Sequence, residues 1–349
     1  MSSSLIALFP LFRARVIGIV GVVLLTSLAV AMPKLVLPTE NTAIFQQRPN
    51  DFFMYVNRYF EGESSQPWEA GTYGFVRNMK RSAGEVIGTR FHEGADIKPV
   101  RRDASGVPLD PVVSIAEGVV AHVNDKSTAS NYGKYIVVLH EWGEGPICSL
   151  YAHLNKVSVT VGDRVEAGTQ LGILGYTGRG IDKPRAHLHF EVALMLSDDF
   201  ETWHQRHLGS ASGHGNFNGR NLSGMNGVDL IARQGKGEVR SIKEYLAAQR
   251  GFYSVTITAA QSRLLRERYP WLWRHPQAAY PSTEITFSAS GLPLSAAPSK
   301  RAVTAPTITR LMEVPGRFED RTIKRISGSG RKATLTDSGQ RYLALIMGE

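Results

Sequence analysis

From residue 112 to residue 178 the chain is a succession of short apolar, β-branched runs cut by Gly, Asn and Asp: VVSIAEGVVAHV, YIVVLHEW, CSLYAHL, KVSVTVGDRV and LGILGYTG. Such runs, bounded by turn formers at short intervals, read as strands and turns. No strand-helix alternation accompanies them, so nothing calls for a parallel sheet. The expected fold is therefore mainly β: a compact antiparallel sheet with short helices at its margins.

One strand of this region carries chemistry. In RAHLHFEV, residues 185–192, His187 and His189 are two apart, and strand geometry puts both imidazoles on one face. In FHEGAD, residues 91–96, His92 and Asp96 are four apart, which suits a loop or bent strand that brings an imidazole and a carboxylate together. His92, Asp96 and His189 offer two imidazoles and a carboxylate, a donor set that suits a catalytic Zn²⁺ and leaves a fourth place for water. His187 stands beside them without being needed as a ligand. His153, in SLYAHL, shares a strand face with Tyr151 and is a second free imidazole. The two would divide the tasks of taking a proton from water and stabilising the tetrahedral intermediate. The helical zinc-protease signature is absent, because His92 is followed by Glu93 but by no second His four residues on. Strand alternation turns Glu93 away from His92, leaving it to solvent or to a supporting role. His122 and His140 read as structural histidines.

The ends of the chain set the context. Arg13 and Arg15 precede an uncharged apolar run, residues 16–32, with Ala29 and Ala31 in an A-x-A pattern. Residues 1–31 read as a signal peptide or N-terminal membrane anchor, and either places the remainder outside the cytoplasm. The only cysteine, Cys148, excludes an intramolecular disulfide framework and a Cys-based zinc cluster, and its apolar neighbours mark it as a buried small hydrophobe. Residues 32–70 read as a linker or entry strap whose stretch NDFFMYVNRYF packs on the adjoining β domain. That domain spans residues 71–196, and residues 197–251 are a long loop and helix extension. The extension contains His204, His207 and His214, read as solvated, and an S-x-x-E capping box at Ser241 and Glu244. Thr258 and Gln261 make a similar helix start.

Residues 252–349 are a basic extension in which 280–309, rich in Pro, Ser, Thr and Ala, reads as linker or disordered. The last forty residues suggest a small hairpin. From residue 250 onward there are 15 Lys/Arg against 7 Asp/Glu, so roughly +8 of the formal +9 lies there. This favours an anionic cell-wall or membrane surface. Nucleic acid is not expected, for want of a phosphate loop, an aromatic RNA signature or a basic zipper helix.

The order His-x-x-x-Asp, Tyr-x-His-Leu, VGDRVEAGTQLGILGYTG and HLHFEV resembles the lysostaphin-type zinc endopeptidases of the LytM group, which cut peptide bonds in bacterial peptidoglycan. GFVRN, from Gly74, is similar to the Gly-aromatic-x-Arg stretch that opens those domains. The resemblance covers residues 71–196. It implies a compact antiparallel β fold with a narrow groove across the sheet, one Zn²⁺ on His92, Asp96 and His189, and His153 with His187 as the catalytic pair. It further implies peptidoglycan peptides as substrate and a place in the periplasm or cell envelope. Two features depart from a minimal domain of this type: the insertion VRRDASGVPLDP after Asp96, and the long segment after Glu191. Both are expected to wall the groove. The alternative is a non-catalytic scaffold that binds the wall and activates another hydrolase, but such relatives lack ligands and all five polar positions are present here.

Overall fold

The computed structural model describes residues 32–349 apart from 83, 275–279, 313–323 and 329. Residues 1–31, the expected signal peptide or anchor, lie outside them. Among the described residues no helix is long and apolar enough to cross a membrane.

The centre of the fold is the strand Leu188–Met195, all eight residues of which are buried. Its two faces meet different cores, as the period of two requires. Leu188, Phe190, Val192 and Leu194 enter the large core shared with Ile97, Ile115, Val120 and Tyr151. Ala193 and Met195, on the face of His189, enter a smaller cluster with Tyr135, Val137, Cys148, Leu150 and Leu222. The strand sits within an antiparallel sheet whose order is Arg164–Val165, Gly118–Asn124, Tyr135–Glu141, Pro146–Ala152, Leu188–Met195 and Leu222–Met225, with Ala95–Ile97 paired to its first half. A second, three-stranded sheet joins Leu154–Val157, Gln170–Leu174 and Pro111–Val113. The mainly antiparallel β fold expected from the turn-punctuated runs is the fold observed.

Residues 32–70 do pack rather than float, and they do so through the backbone. Val36 N–H donates to the Ile115 carbonyl at 3.0 Å, and Met54 N–H donates to the Asp96 carbonyl at 2.8 Å. Lys98 N–H in turn donates to the Phe52 carbonyl at 2.8 Å. The strap thus covers the open edge of Ala95–Ile97, which would otherwise present unpaired groups. Gly71 permits this approach: a Cβ there would lie 2.5 Å from the Met54 carbonyl oxygen and 3.1 Å from that of Asp96.

The segments after residue 196 differ from expectation. Residues 197–227 are not one long loop: Phe200–Leu208 is a helix, and Leu222–Met225 extends the main sheet beside Leu188–Met195. The Ser241 cap is present, with the Glu244 N–H donating to its hydroxyl at 3.0 Å, and Thr258 and Gln261 bond each other reciprocally. The region 280–309 is not a linker. It contributes Ser282–Phe287, Pro293–Ser299 and most of Thr307–Leu311 to a four-stranded antiparallel sheet with Tyr253–Thr258. Ile285 and Phe287 are fully buried and join the core that holds Phe190. Each such side chain stabilises the fold by about 2–3 kcal/mol. The small hairpin near the end is present, as Ile326–Ser327 with Thr334–Leu335, and is followed by a helix, Asp337–Met347, that the sequence pattern did not announce.

Candidate metal centre

Backbone register brings the site together. In the main sheet Asp96 lies opposite His189 on one side and Ala152 lies opposite it on the other. His153, the residue after Ala152, adopts a left-handed backbone (φ 64°), and its N–H is held by the Tyr132 carbonyl at 2.9 Å. That turn carries its ring back toward the His189 face. His92 follows the hairpin of Val76–Ser82 and Glu85–Phe91, its N–H donating to the Phe75 carbonyl at 3.0 Å. His187 directly precedes the central strand.

The structure therefore gathers all five expected residues. His92 Nε2, His189 Nδ1 and Asp96 Oδ1 are mutually separated by 3.2, 2.8 and 3.1 Å. Three donors on a tetrahedral zinc lie about 3.3 Å apart, from bonds near 2 Å, so the set fits that ion with little adjustment. His187 Nε2 stands 3.5 Å from Asp96 Oδ2, and the His153 and His187 rings meet edge to face at 4.8 Å between centroids. None of the five is more than 8% exposed. His204, His207 and His214 are not in the cluster; His214 Nδ1 bonds the Tyr135 hydroxyl at 2.9 Å.

What distinguishes this cluster from packed structural histidines is where the second nitrogen of each ring goes. His92 Nδ1 donates to the Thr72 carbonyl at 2.9 Å, His153 Nδ1 to the Thr177 carbonyl at 2.8 Å and His187 Nδ1 to the Arg185 carbonyl at 2.6 Å. His189 reverses the pattern, with Nε2 donating to Glu191 Oε1 at 2.7 Å and Nδ1 turned inward. In the neutral ring each outer bond fixes the tautomer and leaves the inward nitrogen as the acceptor. His187 Nε2 is buried with no hydrogen-bond partner. Gly178 keeps the His153 ring in place, since a Cβ there would lie 3.1 Å from Nδ1 and 2.3 Å from the Asn131 carbonyl oxygen, at φ +102°.

The charges separate His189 from the other three rings. Burial pushes the His92 imidazole down to about 4, with Arg77 adding to the effect, and burial and the neighbouring imidazoles hold His153 well below its ordinary value. Burial likewise lowers His187. For His189 burial also opposes the charge, but bonds to Asp96 and Glu191 outweigh it and raise the ring to about 9, so near neutral pH its Nδ1 carries a proton toward Asp96 that a metal ion would have to displace. For Asp96 burial is outweighed by Arg77, His92 and His187, which keep the carboxyl well below its usual range. Asp96 is thus an anion at any pH near neutrality, as a metal ligand must be.

Three participants were not assigned from the sequence. Glu191 is buried and accepts from His189 and, at 2.7 Å, from the Tyr132 hydroxyl. Its position two residues after His189 on a strand was the available signal. Arg77, quoted only as part of GFVRN, reaches the site because Val76 pairs with Phe91, next to His92. Its guanidinium donates to Asp96 Oδ2 and approaches His92 Nε2 at 2.8 Å. Glu93, set aside by alternation, is held close enough to Glu191 to feel its charge: burial and then Glu191 raise its carboxyl to about 7. The insertion after Asp96 reaches the flank of the site, where Arg102 donates to the Lys183 carbonyl at 2.9 Å.

Residues 90–198 match peptidase family M23, a window that contains all five residues. The cell division protein DipM of Caulobacter vibrioides is 32% identical over 88 residues, covering 25% of this chain and 14% of that protein. An uncharacterized metalloprotease of Buchnera aphidicola is 34% identical over 87 residues, covering 24% of this chain and 20% of that protein. The chain thus spans a fifth or less of the length of these curated relatives. A zinc-containing peptidase from Vibrio cholerae is 26% identical, covers 38% of each chain and superposes with a TM-score of 0.24. The lysostaphin-type resemblance read from the motifs and the family match coincide on this segment.

Proposed function

We propose that the protein is a zinc-dependent endopeptidase of the bacterial cell envelope that hydrolyses peptide cross-links in peptidoglycan. The observation that carries this reading is the inward convergence of three imidazole nitrogens on the buried Asp96 carboxylate, with the His153 ring packed against those of His187 and His189 and each ring tied outward to a carbonyl or carboxylate. The M23 match over the same residues supports a peptidase, and the lysostaphin-type resemblance of the motifs points to peptidoglycan peptides as its substrate.

His92 Nε2, His189 Nδ1 and Asp96 would hold the ion, which when bound supplies Lewis acidity and lowers the pKa of water. The chain's own groups do the rest. His187 and His153 keep unprotonated inward nitrogens near neutral pH, because burial lowers both. One takes the proton of the attacking water, faces the developing oxyanion as an imidazolium, and then delivers that same proton to the leaving amine, while the other, still neutral, accepts a hydrogen bond from the water and orients it. Glu191 keeps the His189 ring in one orientation. The apolar segment 16–32 and the basic residues after 250 fit export and attachment to an anionic envelope surface.

Digestion of defined cross-linked muropeptides by the protein, read by mass spectrometry, tests the reading. Chelator-sensitive loss of dimers is expected, and the new termini will name the bond. Binding to sacculi without any cleavage by the zinc-loaded protein would instead favour a scaffold that activates another hydrolase.

A further inference from the structure

We infer that Arg77 is a positioning residue for the metal centre: its guanidinium holds Asp96 and His92 together in the metal-free protein and gives way when the ion enters. The inference rests on the zinc-centre reading above and deepens it.

The geometry is specific. A single Arg77 nitrogen bonds Asp96 Oδ2 and lies 2.8 Å from His92 Nε2, two of the three donor residues. An ion bonded to His92 Nε2 at about 2 Å would need the lone pair that this nitrogen now faces, beside the carboxylate whose other oxygen, Oδ1, is the donor. Two cations cannot share that place. Asp96, however, is only 1% exposed, and a buried carboxylate with no counter-charge is costly, so a charge-compensating group has work to do before the metal arrives. Arg77 is suited to a reversible role because its side chain is 27% exposed, on a hairpin strand at the rim, whereas the ligands are enclosed. Its Nε bonds the Ala70 carbonyl at 3.3 Å, which tethers the stem outside the donor cluster. The side chain can therefore swing out to water without unfolding the strand that carries it.

Zinc affinity then measures a displacement. Zinc affinity by chelator competition on the full chain, for wild type and for Arg77→Gln and Arg77→Lys, gives the test. Arg77→Gln is expected to bind zinc more tightly, on the order of 10-fold or about 1.4 kcal/mol, with Arg77→Lys in between. The metal-free Arg77→Gln protein is expected to melt below metal-free wild type, so that zinc raises its Tm by more. A measurement on wild type alone keeps the test decisive if the variant does not fold. Modification of Arg77 by phenylglyoxal, followed by peptide mass spectrometry, is expected to accelerate when zinc is added. Equal or weaker zinc binding by Arg77→Gln, or Arg77 modification unchanged or slowed by zinc, would overturn the inference and leave the zinc endopeptidase standing. Absence of zinc binding by wild type and variants alike would overturn both.

Discussion

Glu191 Oε1 accepts hydrogen bonds from both His189 Nε2 and the Tyr132 hydroxyl, each at 2.7 Å. One buried carboxylate thereby sets the orientation of a metal ligand and is itself held by a tyrosine from the neighbouring loop. Glu191→Gln keeps the volume but removes the charge that favours the inward-facing Nδ1 lone pair. We expect a loss of zinc affinity of about 10- to 100-fold, measured by chelator competition. Tyr132→Phe, which leaves Glu191 in place, is expected to lose less.

The two imidazoles outside the donor set separate chemistry from binding. His153→Ala and His187→Ala are each expected to lower the rate of cross-link cleavage by roughly 10²- to 10⁴-fold while retaining one bound zinc. Metal analysis and turnover on the same preparation check this. Loss of zinc from either variant would make that residue a ligand instead.

The C-terminal sheet is expected to be inseparable from the peptidase segment. Tyr269 donates to the carbonyls of Pro146 and Met195 at 2.8 and 2.9 Å, and Trp271 donates to that of Glu144 at 2.7 Å. Tyr73, beside the His92 anchor Thr72, contacts Ser290 at 3.2 Å. Truncation after residue 251 is therefore expected to give an unfolded or aggregated protein, and Phe287→Ala to cost about 3–5 kcal/mol in denaturant unfolding. A truncated chain that folds and cleaves with unchanged stability would contradict this.

Acid sensitivity should arise away from the centre as well. His140 is fully buried, with Nδ1 on the Glu117 carbonyl and Nε2 on the Ser149 hydroxyl, both at 2.7 Å, and burial lowers its pKa to about 4. The unfolded chain takes up this proton near pH 6.5, the folded one only near 4, so the unfolded state binds more protons in between. Stability from this group is thus complete above about pH 6.5 and falls toward pH 4, by up to about 3 kcal/mol. Denaturant melts across that window should show the decline for wild type, and a shallower one for His140→Gln.

The centre was legible because its residues sit on elements with simple periods. His187 and His189 share a face through the period of two, and the same rule, carried one step further, reaches Glu191. That step is masked because Glu191 stands in an apolar run that reads equally well as core. Arg77 was hidden for another reason: its place depends on hairpin pairing of Val76 with Phe91, a relation that local spacing does not encode. The C-terminal sheet was obscured by composition. Pro293 and Pro298 lie in Pro293–Ser299, an edge strand, where the missing N–H groups need no ladder partner. Prolines there resemble those of a linker, although Thr283, Ile285 and Phe287 on the adjacent strand keep the alternation of a sheet. The helix Phe200–Leu208 reads as loop in the sequence because Gly, Ser and Asn crowd the residues after it.

The most direct test is the return of activity to metal-stripped protein. Zinc titrated into the chelator-treated chain, with cleavage of a defined cross-linked muropeptide as the readout, is expected to restore turnover in proportion to zinc and to saturate at about one ion per chain, as one three-ligand centre among the described residues requires. His189→Ala should stay inactive throughout. Cleavage that survives stripping, or that His189→Ala retains, would contradict the assignment of this centre as the catalytic one.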